Sequence, residues 1–346
     1  MLRFIWSLSI FLSLVSLAVM ALLILRRTYI QRRSSADAQM RQHLLKSLIA
    51  FSHHRDRETL KRAVLEVPAR VALEAGFEFL ALLRGEEHAD VIATLIECGL
   101  PAEAERQLAG GNGAERIQAT EMLGTMRSEN AVPLLLATLD NDRSREVRIA
   151  AAIALCDLDA LPPLDVALGK IGIAGQRSRR LIELFRRLPA ERMPELKDCA
   201  ARTDAAPFVR VAVIDALARS GDFRLAGFYG NIAQSGPAEV TAAAIRAIGR
   251  TGHPSAVAIL FHGLEHEDWG VRCAAAEAAG QLGLPDLAAP LARLLDDETW
   301  TVRYAAAKAM SAIVPEGERI LREIAANQSS RSQRTASLIL AEGPIP

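Results

Sequence analysis

The chain has 346 residues, 50% hydrophobic but only 5% aromatic, and its 41 basic residues are matched by 41 acidic ones. That balance excludes a strongly cationic nucleic-acid-binding protein, and the apolar bulk, mostly Ala, Leu, Val and Ile, suits a large core built from helices rather than aromatic-rich sheets. Cys98, Cys156, Cys199 and Cys273 are irregularly spaced with no Cys-x-x-Cys pair, so neither a zinc site nor a disulfide framework is indicated.

The first predicted element is 4–25, FIWSLSIFLSLVSLAVMALLIL, 22 residues without a charge. At about 1.5 Å per residue it is long enough to cross a hydrocarbon core of roughly 30 Å as one transmembrane helix. Trp6 and Tyr29 stand near its two ends, where amphipathic rings anchor at membrane interfaces. Arg26, Arg27, Arg32 and Arg33 follow the segment and only Arg3 precedes it, which places the C-terminal body in the cytoplasm, with a periplasmic body as the alternative. A cleaved signal peptide competes with this reading, but its charges should precede the apolar run.

Next comes a basic juxtamembrane segment and helical capping region, 26–110. From Arg26 to Arg70 eleven Lys or Arg stand against four Asp or Glu. These charges set the topology, and in a sharper reading Arg55, Arg57, Lys61 and Arg62 also lie against anionic headgroups. Beyond Arg70 the chain is net acidic, which argues against nucleic acid as a partner. Residues 36–110 read as helices broken at Pro68, Gly76, Gly85 and Pro101, out of register with the C-terminal part of the chain, and Gly110-Gly111-Asn112-Gly113 reads as a hinge.

Over 113–341 the sequence repeats with a 31-residue period. Arg148, Arg179, Arg210, Arg272, Arg303 and Arg334 lie on the progression, with Thr241 at the one intervening position. Set in register on the preceding residue, offsets 0, 3, 4, 7, 8 and 11 are apolar: Val147, Ala150, Ala151, Ala154, Leu155 and Leu158 in one unit, Val271, Ala274, Ala275, Ala278, Ala279 and Leu282 in another. This is the stripe of a helix buried on one face. Breakers such as Gly283-Leu284-Pro285 then lead into a second apolar stretch, so each repeat is two helices. Asp142, Asp204 and Asp297 stand six residues before their arginines, in turns where a carboxylate accepts backbone N–H groups. The unit around Arg179 carries bulky residues in place of the paired alanines, which predicts looser packing or a bend.

These residues resemble the HEAT repeat, specifically its short bacterial variety also found in phycobilin lyases. The matching features are a first helix with proline, Pro133 or Pro290, then a turn Asp, then Val-Arg opening the second helix. The resemblance implies an all-α, HEAT-like solenoid of stacked helix pairs, here preceded by one transmembrane helix. It also implies that the Asp and Arg of successive repeats form a hydrogen-bonded ladder. With the Arg-over-Lys bias, the repeat variety points to a bacterial inner-membrane protein.

No Walker A, GxSxG or GxGxxG string occurs. His266-Glu267 resembles one dyad of the HEAT-repeat hydroxylase that holds iron with several His-Glu pairs, but one dyad supplies too few ligands, and it reads as a polar loop. No catalytic residue, metal, cofactor or small-molecule substrate is expected. Trp269 and Trp300 lie one repeat apart, either as hot spots for a partner or as covers over their own helix pairs. The expected function is a membrane-anchored scaffold that binds a membrane-associated partner protein through the second helices. The alternative is a HEAT-repeat lyase or enzyme subunit acting on a protein-bound group.

Overall fold

A computed structural model of the chain describes Met20 and residues 37–51, 55–172, 177–253, 256–326 and 331–342, and among these every regular element is a helix. The 4–25 segment expected to span a membrane lies outside the described residues except for Met20. Among the described residues no helix is long and apolar enough to cross a membrane. The chain divides into two compact units, Met1–Leu158 and Asp159–Pro346.

In the first unit α1 spans 37–51, followed by α2 (Arg57–Leu65), α3 (Ala69–Leu80), α4 (Glu86–Glu97), α5 (Leu100–Gly110), α6 (Gly113–Met126), α7 (Ala131–Asn141) and α8 (Arg145–Asp157). Helices two apart in sequence pack on one another: α2 on α4, α3 on α5, α4 on α6 and α6 on α8. Helices therefore stack on one another before residue 113 as well as after it. The early rungs of this unit are surface ion pairs, Arg41–Glu78, Arg57–Asp90 and Lys61–Glu97. Their separations of 37, 33 and 36 residues escape a search at a fixed period of 31. Arg55, Arg57 and Lys61 pair with Glu86, Asp90 and Glu97, and Arg62 donates to Glu58 and Thr59 of its own helix.

The expected hinge at 110–113 is a tight helix junction instead. Asn112 caps α6 by accepting from the Ala114 and Glu115 N–H groups, and the Glu115 side chain accepts from the Asn112 N–H, a reciprocal capping box. Gly111 is required there, since a Cβ would come within 2.5 Å of the Gln107 carbonyl oxygen.

The second unit holds α9 (Leu164–Ile171), α10 (Arg179–Arg187), α11 (Met193–Ala201), α12 (Pro207–Ala218), α13 (Ala226–Ser235), α14 (Ala238–Thr251), α15 (Ala256–Leu264), α16 (Trp269–Leu282), α17 (Ala288–Arg293), α18 (Trp300–Ala312), α19 (Glu316–Ala326) and α20 (Arg331–Glu342). The even-numbered members are the second helices of their pairs. They lie side by side in chain order from α10 to α20. Their apolar stripes are buried, as at Val240, Ala244, Ile248, Val271, Ala275 and Ala279, and each fully buried Leu, Ile or Val contributes about 2 kcal/mol.

Small residues set how closely the second helices approach. A Cβ on Gly249 would lie 2.8 Å from Ala278 Cβ, and one on Gly280 would lie 2.7 Å from Ala309 Cα. Both contacts join consecutive second helices.

Candidate protein-binding face

The arginine at the start of a second helix makes two kinds of bond. Its Nη1 donates back to the turn of its own repeat: Arg148 to the Asp142 carbonyl, Arg272 to the His266 and Glu267 carbonyls (2.8 and 2.7 Å), Arg303 to the Asp297 and Glu298 carbonyls (2.7 and 3.0 Å). In two of these arginines, Arg272 and Arg116, Nε and Nη2 also reach forward as a fork to the next turn aspartate. Arg272 meets Asp297 at 2.7 and 3.1 Å. Arg116 meets Asp142 at 2.8 and 3.1 Å. The planar guanidinium matches the carboxylate bidentately, which fixes the stacking register as well as contributing energy.

Each ladder aspartate also organises its own turn, Asp142 accepting from the Ser144 N–H (2.7 Å) and Asp297 from the Thr299 N–H (2.8 Å). Burial alone would raise both carboxyls. The bonds from Arg116 or Arg272 and from the turn N–H outweigh it and hold both below the ordinary carboxylate value.

Other members of the series sit elsewhere. Arg210 is buried and its Nε donates to the Ala200 carbonyl at 2.9 Å. Asp204 pairs with the nearby Arg202, both exposed. Arg179 and Arg334 are exposed on α10 and α20. Thr241, in an arginine position, donates its hydroxyl to the Gly236 carbonyl at 3.1 Å.

His266 takes the aspartate's place in the turn that follows Thr241. It lies six residues before Arg272, and its Nδ1 accepts from the Asp268 N–H at 2.9 Å. The side chain of His266 thus closes a turn, while the backbone carbonyls of the His266-Glu267 dyad hold Arg272. Sequence reasoning missed Arg116, because it precedes Arg148 by 32 residues and follows Glu115 rather than a valine; its position four residues after the Asn112 cap was the available signal.

The outward side of the second helices is where the tryptophans lie. Trp269 and Trp300 open α16 and α18 and are 52% and 54% exposed, so neither fills the core of its own pair. Trp300 stacks on Tyr304, ring centroids 5.3 Å apart and planes inclined by 23°. Both rings border a hollow of about 760 Å³ on the α16–α18 face, together with Cys273, Gln281 and Lys308. Trp269 borders a second hollow, about 810 Å³, over α10, α12 and α14.

Charge across this face follows the repeat. Asp215, Arg246, Glu277 and Lys308 occupy one position 31 residues apart and alternate in sign, and Arg246 meets Glu277 at 3.4 Å. Asp215 is held instead between Arg186 (2.9 Å) and Arg250 (3.0 Å). Burial would raise its carboxyl, but these two bonds bring it below the ordinary value. The alternation was readable by aligning the repeats; the Arg186 and Arg250 contacts, 29 and 35 residues away, were not.

Among the described residues no group of three His, Cys, Asp or Glu converges in a way that could hold a metal ion. Burial pushes the Cys199 thiol up to about 11, and burial together with the Glu277 carboxylate does the same for Cys273. Both are protonated near neutral pH, unlike an activated nucleophile.

No curated protein matches the chain. Solved structures similar to it include an engineered protein, 18% identical, covering 86% of this chain and 98% of that one with a TM-score of 0.37. Kap121p bound to Pho4p is 15% identical, with 85% and 39% covered and a TM-score of 0.42, so this chain spans 39% of Kap121p. Human deoxyhypusine hydroxylase in complex with glycerol is 18% identical, with 89% and 97% covered and a TM-score of 0.30. Residues 230–311 match the family model described as HEAT repeats, a stretch that runs from α13 into α18 and contains the Arg272–Asp297 rung, so these stacked pairs are HEAT repeats.

Proposed function

We propose that the protein is a membrane-anchored scaffold that binds a partner protein on the outward side of its second helices. The observation that carries the reading is the pair of half-exposed tryptophans, Trp269 and Trp300, one repeat apart, each beside a hollow on that face. Large amphipathic rings over concave apolar surface are the usual anchors of protein interfaces. The partner is itself membrane-associated. The uncharged 4–25 segment supports the anchor, and the arginines after it support a cytoplasmic body at a bacterial inner membrane. Anchoring raises the effective concentration of a partner held in the same membrane.

The test is photo-crosslinking from probes placed beside Trp269 and Trp300 in intact membranes, paired with a compartment-specific reporter fused after Pro346. A single protein recovered reproducibly, and lost in the Trp269→Ala/Trp300→Ala double variant with little change in melting temperature, is the expected result. Recovery unaffected by the double variant would sink the assignment of the face. A reporter active only on the periplasmic side would reverse the topology.

A further inference from the structure

In the ladder turns a side-chain acceptor recurs two residues before a backbone N–H. Asp142 accepts from the Ser144 N–H at 2.7 Å and Asp297 from the Thr299 N–H at 2.8 Å. In the α15–α16 turn a ring makes the same bond, His266 Nδ1 accepting from the Asp268 N–H at 2.9 Å. Thr241 and His266 stand in the register of Arg272 and Asp297, 25 residues apart, so the arginine and the carboxylate of this rung are replaced together. An uncharged acceptor suffices here, because no guanidinium has to be met.

The replacement changes what a proton does to the turn. Histidine is the side chain that ordinarily changes charge between about pH 5 and 8, and in the charged ring both nitrogens are donors. A proton on Nδ1 therefore sets one donor against another at the Asp268 N–H. The effect reaches α16, since Asp268 is its cap, accepting from the Gly270 and Val271 N–H groups at 2.8 and 3.2 Å. Trp269, half-exposed, lies beside that cap.

Charge around the ring is mixed. Glu265, Glu267 and Asp268 share its turn and His262 precedes it on α15. Arg272 of α16 donates to the His266 carbonyl, and Arg293 of α17 meets Glu265 at 2.9 Å. Of the other elements packed on α15, α13 brings only the buried Tyr229 and the 285–287 turn brings Asp286. The charges of α14, Glu239, Arg246 and Arg250, are paired with Arg177, Glu277 and Asp215.

We propose that the α15–α16 turn is a proton-operated switch. With His266 neutral it is closed like the turns at Asp142 and Asp297. With His266 protonated the bond to the Asp268 N–H is lost, the ring is drawn to the Asp268 carboxylate, and the start of α16 beside Trp269 opens. The folded turn holds the neutral ring, so its stability is present at higher pH and is lost as the pH falls.

The test is hydrogen exchange on the full chain in nanodiscs of neutral lipid, corrected for the intrinsic pH dependence of amide exchange. From about pH 7.5 to about pH 5.5, protection over 266–272 should fall by about tenfold, the scale of one lost hydrogen bond with an unpaired donor, while 297–303 stays constant. His266→Asn places an uncharged acceptor oxygen in the ring's position and should stay protected at both pH values, as should His266→Asp. Unchanged protection in the wild type, an equal loss over 297–303, or an equal loss in His266→Asn overturns the proposal. So does low protection at both pH values in both variants, because the ring would then act by packing and not as an acceptor.

Resting on the scaffold reading, crosslinks from beside Trp269 in isolated membranes should weaken over the same pH range in the wild type and persist in His266→Asn, with those from beside Trp300 unchanged. Crosslinks that ignore the pH while the turn opens overturn the link to binding. A turn that opens as expected, with no crosslink at either pH, overturns the scaffold reading and leaves the switch standing.

Discussion

Arg272 joins two repeats with one side chain, donating back to the carbonyls of its own turn and forward to the Asp297 carboxylate. Asp297 is nearly buried, its side chain 7% exposed, so removing the guanidinium leaves a carboxylate with the Thr299 N–H and little water. Arg272→Ala should therefore destabilise the second unit by about 2–3 kcal/mol at neutral pH, the scale of breaking one partner out of a largely buried pair. The folded-state pKa of Asp297 is depressed, so its contribution is present above the unfolded carboxylate value and is lost as the pH falls through the folded one. The stability gap between wild type and Arg272→Ala should accordingly be full at pH 7 and narrow below about pH 4. Urea unfolding of both proteins at the two pH values measures it, and a gap independent of pH would remove the Asp297 charge from the rung. The arginine period was plain in the sequence, but a period identifies a position and not its partner. The acceptor lies in the next turn, 25 or 26 residues on. Arg210 has Ser235 at that position, whereas Arg179 has Asp204, whose carboxylate pairs with Arg202 instead.

At the level of the helix, the paired alanines indicated close packing, while the contacts that enforce it involve glycines whose partners lie less than one period ahead. Gly249 meets Ala278 and Gly280 meets Ala309, because the second helices are offset along their axes where they touch. In an isolated helix, Gly280→Ala would stabilise by about 1 kcal/mol. Here the added methyl would lie 2.7 Å from Ala309 Cα, a backbone atom that cannot yield without separating α16 from α18. Overpacking of this kind costs about 1–3 kcal/mol. The net effect should be destabilisation, read as a lower melting temperature, with Gly280→Val worse than Gly280→Ala. A rise in melting temperature on Gly280→Ala would mean that the two helices are not in contact at this point. The 110–113 segment shows the converse limit of sequence reading: glycine content alone suggested a hinge, whereas Asn112 and Glu115 cap each other and Arg116 Nη1 donates to the Gly111 carbonyl, which closes it. Composition reports how freely a backbone moves when unbonded, and the caps decide whether it is unbonded.

Across the second unit these local terms are unevenly distributed. A stack in which each pair touches only its neighbours has a stability that is a sum of intrinsic and nearest-neighbour contributions. The pairs from α13 to α18 have long second helices, 14 residues in both α14 and α16, glycine-to-alanine contacts on both sides of α16, and the Arg272–Asp297 rung. The pairs from α9 to α12 have helices of eight and nine residues in α9, α10 and α11, and Asp204 there is turned to Arg202 instead of to a ladder arginine. Native-state hydrogen exchange should therefore be slowest in α14 and α16 and faster in α9, α10 and α11, with opening free energies differing by about 2–4 kcal/mol. Uniform protection from α9 to α18 would mean that the unit opens as one body and that the nearest-neighbour account fails. Two members of the Arg186–Asp215–Arg250 bridge, Arg186 on α10 and Asp215 on α12, lie in the less-tied region, and the third, Arg250, lies on α14; recognition surfaces draw on the less stable parts of a fold because they must adjust to what they bind. A ligand seated in the α10–α12–α14 groove should then slow exchange first in α10, where there is most protection to gain, and leave α16 nearly unchanged.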